Sequence, residues 1–68
     1  MDWEALKKAK EFFRQEPDTK LLLELHADYA IEREMWRREG IRDRFEQAEI
    51  NMFAVRYVIE ERLDGVKN

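Results

Sequence analysis

The sequence predicts an all-α fold of three helices: a short N-terminal helix followed by a long antiparallel helical hairpin, packed as a bundle. Three observations carry that expectation. Helix breakers are scarce, with one proline and two glycines in 68 residues. Apolar residues recur at three- and four-residue steps along most of the chain, the spacing of a helix face. Stop and start signals fall together at only two interior places, around Pro17 and around Gly40.

The first helix is expected over about residues 2–15. Asp2 is placed to cap its first amides, and Glu4 lies where a negative charge meets the positive end of the helix dipole. At 100° per residue, Trp3, Ala5, Leu6, Ala9, Phe12 and Phe13 share one side, while Lys7, Lys8, Glu11, Arg14 and Gln15 share the other. Pro17 closes this segment, because the residue before a proline is pushed out of helical dihedrals. Either Asp18 or Thr19 can cap the second helix.

That second helix is expected over about residues 19–39, a rod of ~31 Å at 1.5 Å per residue. It is apolar on two sides. Leu22, Leu25, Tyr29 and Trp36 form one stripe, and Leu23, Ala27, Ala30 and Ile31 form another on roughly the opposite side. Such a helix is central in its bundle or shared with another chain.

The stretch REMWRREGIRDRFEQAE, residues 33–49, poses a choice between a phosphate grip and a corner. Gly40 fits the left-handed position of a Schellman motif, with Trp36 and Ile41 as its hydrophobic pair. Asp43 and Glu46 then form a D-x-x-E start resembling a capping box. Over residues 32–46 five arginines meet five carboxylates, so there is no net charge to attract phosphate. A corner is the expected outcome. The competing arrangement, one unbroken helix through Gly40, costs only about 1 kcal/mol.

The third helix is expected over about residues 43–64, with Gly65 closing it. Phe45, Ala48, Met52, Val55 and Ile59 step by three and four, and Leu63 extends the line, a seam suited to coiled-coil-like packing. Ile50, Phe53 and Tyr57 make a second apolar cluster on its far side.

Residues 1–68 therefore read as one helical domain with a surplus of apolar surface. After Met1 there are 23 sizeable apolar side chains, and two of the three helices carry more than one stripe. Small chains bury a low fraction of their surface and often need staples or a partner. With no cysteine, no disulfide can serve. The expectation is a homodimer whose interface includes Leu22, Leu25, Tyr29, Trp36, Ile50, Phe53 and Tyr57. Another protein is a possible further partner.

Function classes narrow by exclusion. A net charge of −3 is a poor match to nucleic acid, which asks for concentrated positive charge, so a small dimeric nucleic-acid-binding regulator stands as the alternative reading. The longest apolar runs, LLL at 21–23 and MFAV at 52–55, are far below the ~20 residues of a membrane span. No membrane association is expected, and a cytoplasmic location is the default. Cysteine and serine are absent and Thr19 is the sole threonine, leaving little for nucleophilic catalysis. The lone histidine, His26, lies ~160–200° round the helix from Glu24 and Asp28, so no metal cluster is expected there. Glu46-x-x-Glu49 and Glu61-x-x-Asp64 share the spacing of the magnesium sites of the all-α nucleotide pyrophosphohydrolases. Both pairs fall on one predicted helix ~22 Å apart, too far to converge within a chain. The chain is thus expected to be a structural or protein-protein interaction module, with no enzyme activity and no catalytic, metal or cofactor site.

Overall fold

A computed structural model of the protein describes residues 1–67. It contains three helices in the order α1 (Trp3–Arg14), α2 (Thr19–Glu39) and α3 (Arg42–Lys67). Asp2 caps α1 as its sequence position demands, its carboxylate accepting the Ala5 N–H at 3.1 Å. Asp18, rather than Thr19, caps α2 and accepts from the amides of Lys20 and Leu21 at 3.0 and 3.3 Å.

The arginine-rich stretch is a corner. Gly40 adopts φ 73° and ψ 22°. Its N–H reaches the Arg37 carbonyl at 3.2 Å, and the Ile41 N–H reaches the Trp36 carbonyl at 3.1 Å, the two bonds of a Schellman motif. An added Cβ at Gly40 would meet no atom within 4 Å, so only backbone strain opposes substitution. Gly40→Ala is expected to cost about 1 kcal/mol, read as a lower urea midpoint. Gly65 behaves otherwise. The sequence marks it as the close of α3, yet the helix runs through it to Lys67, and Gly40 is the only glycine with positive φ among the described residues. Gly65→Ala should therefore be neutral or stabilise by up to about 1 kcal/mol.

The start of α3 also departs from expectation. The helix begins at Arg42, with the Ile41 carbonyl accepting the Phe45 N–H at 3.0 Å. Asp43 lies within the first turn instead of capping it. Glu46 bonds Arg42 at 3.1 Å rather than reaching back to an orphan amide. Two residues suffice to reverse the chain, leaving no room for a separate cap at position 43.

Packing centres on α3, against which α2 and α1 both lie. Arg33 of α2 pairs with Glu49 at 2.9 Å, and Thr19 accepts a bond from Arg62, so α2 runs antiparallel to α3. At the other flank Met1 and Asp2 lie beside Glu49 and Ile50, while Arg14 pairs with Glu61 at 2.7 Å. Hence α1 runs parallel to α3. The molecule measures 42 × 23 × 17 Å. Its core is built from Leu6 and Phe13 of α1, Leu22 of α2, and Ala54, Val55, Val58 and Ile59 of α3. The Phe13 ring meets Tyr29 edge to face, with centroids 6.0 Å apart, joining α1 to α2.

The apolar side of α1 is narrower than its composition suggests. Leu6 and Phe13 are buried, whereas Trp3 and Phe12 are exposed. On a helical projection these two sit some 70–110° to either side of the Leu6–Phe13 line. A single flat neighbour cannot cover so wide an arc.

Candidate interaction surface

Helix α2 turns one of its apolar stripes inward. Leu22 is fully enclosed, and Leu25, Tyr29 and Trp36 are half-buried along the same line. Burial and the carboxylates of Glu32 and Asp28 push the Tyr29 phenol up from its ordinary value, keeping it protonated. The Trp36 indole N–H donates to Glu32 at 3.2 Å.

On α3, the Phe45–Leu63 seam is covered through Ala48, Val55 and Ile59, while Leu63 at its end is exposed. The far-side cluster is where α1 docks. Ile50 is buried, Phe53 is half-buried against the core, and Tyr57 stays exposed beneath the Lys10 ammonium, 4.7 Å from its ring centroid.

Of the seven residues expected at an interface, then, Leu22 and Ile50 are closed off inside the chain itself. Leu25, Tyr29, Trp36 and Phe53 are half-buried, and only Tyr57 is exposed. The physical reason is the reach of α1. Lying parallel to α3, it covers much of the surface that the sequence leaves in surplus.

What remains uncovered is the outward side of α2. Leu23, Ala27, Ile31 and Met35 are all exposed and step by four residues along it. Ile31, at 71% accessible, is the most open large hydrophobic side chain of the helix. A shallow depression on this side is lined by Ala30, Ile31, Glu34, Met35 and Arg38. Leu23, Ala27 and Ile31 are visible as a second stripe in the sequence. Met35 is not, because it sits at the edge of that stripe and 120° from Leu23 on a helical projection.

Charges around the corner are satisfied locally. Arg33 pairs with Glu49, Arg37 and Arg38 with Glu34, and Arg42 with Glu46. Arg44 lies over the Trp36 ring at 5.5 Å. Each of the five thus has a partner within the chain, Arg37 and Arg38 sharing the one carboxylate of Glu34. Three of the four carboxylates of the two spaced pairs are likewise engaged, Glu46 by Arg42, Glu49 by Arg33 and Glu61 by Arg14. Among the described residues no three His, Asp or Glu side chains converge enough to hold a metal ion, and His26 is half-buried. No helix among them is long and apolar enough to cross a membrane.

These ion pairs set an acid response. Hydrogen bonding from Arg37, reinforced by Arg38, lowers Glu34 from 4.5 to about 2. The bidentate bond from Arg14 lowers Glu61 in the same direction. A carboxyl group whose pKa is lower in the folded chain stabilises it above the unfolded pKa and loses that contribution as pH falls. For Glu34 the loss runs from about pH 4.5 down to about 2. Both groups are solvent-exposed, so the effects are small. Glu61→Gln should lower the melting temperature at pH 7 by more than at pH 2.5; an equal shift at both would mean that the pair contributes nothing.

Compared with known proteins, the chain matches no family model, no curated protein and no solved structure.

Proposed function

We propose that the protein is a small interaction module that acts as a homodimer, cytoplasmic and without catalytic activity of its own. The observation that carries this reading is the open apolar line Leu23–Ala27–Ile31–Met35, on the side of α2 opposite its core-facing stripe. Contiguous exposed apolar surface of this kind marks an interaction face.

Total surface supports the same reading. The chain exposes 5202 Å², about 600 Å² more than size scaling gives for a folded monomer of 8.4 kDa. Two copies that each hid about 600 Å² would reach ~1,200 Å², the lower edge of specific interfaces. A second copy is the simplest partner, since two-fold homodimers are the commonest assembly.

Sedimentation equilibrium at micromolar concentration tests the reading. The expected species has twice the 8.4 kDa chain mass. A monodisperse monomer at 100 µM, about a hundredfold above a micromolar Kd, would overturn it.

A further inference from the structure

The charged residues flanking the open line of α2 differ between its two halves. Its first half carries Lys20 at the start, then Glu24 and Asp28, neither of which joins an ion pair among the described residues. Its last half carries Glu34, Arg37 and Arg38, with Glu39 at the end. Glu34 takes both guanidiniums, at 2.6 and 3.2 Å, which leaves that trio one positive charge in excess, and Glu39 brings the half to zero.

This order discriminates between the two ways of laying α2 against its copy. Side by side in the same direction, Glu24 would face Glu24 and Arg38 would face Arg38, and like charges set together repel. Reversed, the acidic half of each helix meets the neutral half of the other, and Glu24 lies level with Arg38 instead of with its own copy. The helix dipoles, too, are then opposed head to tail. Positions 24 and 38 are equidistant from 31, so a reversed pairing that joins them puts its two-fold axis close to Ile31. The same register sets Ala27 opposite Met35, a small side chain across from a long flexible one, and Asp28 level with Glu34, whose carboxylate is already held by Arg37 and Arg38. Under a two-fold axis crossing the helix, each flank meets its own equivalent, and every pairing occurs twice.

We infer that the occupant of this face is a second copy of the chain, with α2 packed antiparallel on α2 about an axis near Ile31 and Glu24 of each copy beside the other's Arg38. The inference rests on the homodimer reading and adds the face, the direction and the register.

Because the chain has no cysteine, single introduced thiols report these directly. Ile31→Cys lies near the axis and should oxidise to a covalent dimer under mild conditions. Leu23→Cys should not, because eight residues from the axis place the two thiols ~24 Å apart, far beyond disulfide reach. Crosslinking at both positions would mean parallel helices and overturn the direction. A dimer by sedimentation that crosslinks at neither position would overturn the face while sparing the homodimer. A monomer would remove both.

Charge reversal gives an independent readout. Glu24→Arg sets two like-charge pairs across the interface and should raise the dimer Kd about five- to thirty-fold. Adding Arg38→Glu in the same chain should restore most of that loss. If the double variant dimerises no better than the single one, the proposed register is overturned.

Discussion

Leu22→Ala is expected to cost about 2–5 kcal/mol, the largest effect of any single truncation in α2. Leu22 is completely enclosed among Leu6, Phe13, Ala54, Val55, Val58 and Ile59, where all three helices meet. Removing its isobutyl end leaves a hole that three rigid rods cannot close. A domain of 68 residues has only ~3–10 kcal/mol of stability in all, so the variant should be substantially unfolded at room temperature or melt far earlier than the parent. The adjacent Leu23 is the control. It points away from the core and is 54% accessible. At concentrations low enough to keep the chain monomeric, Leu23→Ala should stay within about 0.5 kcal/mol of the parent in urea denaturation. Comparable costs at the two positions would mean that α2 is rotated from the orientation described.

Arg62→Ala is expected to cost about 2 kcal/mol and to loosen α1 selectively. The guanidinium of Arg62 extends from α3 into the α1–α2 corner. There it donates to the carbonyls of Arg14 and Glu16 and to the Thr19 hydroxyl. The Arg14 carbonyl lies in the last turn of α1, where carbonyls have no partner within the helix. One planar fork satisfies groups on both sides of the corner, a task an ammonium group does less well, so Arg62→Lys should recover only part of the loss. Amide exchange is the discriminating measurement: α1 amides should lose protection while those at the centre of α3 keep most of theirs. Uniform loss, or a cost below about 0.5 kcal/mol, would show that the corner does not depend on Arg62.

Local signals are legible because their physics is local. Asp2 and Asp18 cap helices wherever the chain goes afterwards, since a carboxylate two or three residues from an amide needs nothing else. Gly40 closes α2 for the same reason, its neighbours Trp36 and Ile41 supplying the rest of the motif. Gly65 resembles it in sequence yet continues the helix to Lys67, without the left-handed backbone that Gly40 adopts. Asp43 fails as a cap because the turn completes itself at Ile41.

Contacts that join distant segments are not legible. Nothing in the run Glu61–Arg62 shows that one residue will bind Arg14 and the next will reach Glu16. That depends on α1 lying parallel to α3 with its end at the same height. Trp3 and Phe12 look like core for a related reason. Their positions on the helix are apolar-side positions, but only a neighbour on each flank would have buried them.

The candidate surface divides along the same line. That α2 has two greasy sides comes from its residues alone, through the fixed rotation of 100° per residue. Which side turns inward is a comparison of areas. Leu22, Leu25, Tyr29 and Trp36 offer much more apolar surface than Leu23, Ala27, Ala30 and Ile31, so docking the larger stripe on α3 removes more of it from water. Composition and periodicity thus determined three helices, most of their ends and the two-sidedness of α2. Only the packing of three rods together decided that α1 would cover the far side of α3 and that the Ile31 side of α2 would be the one left open.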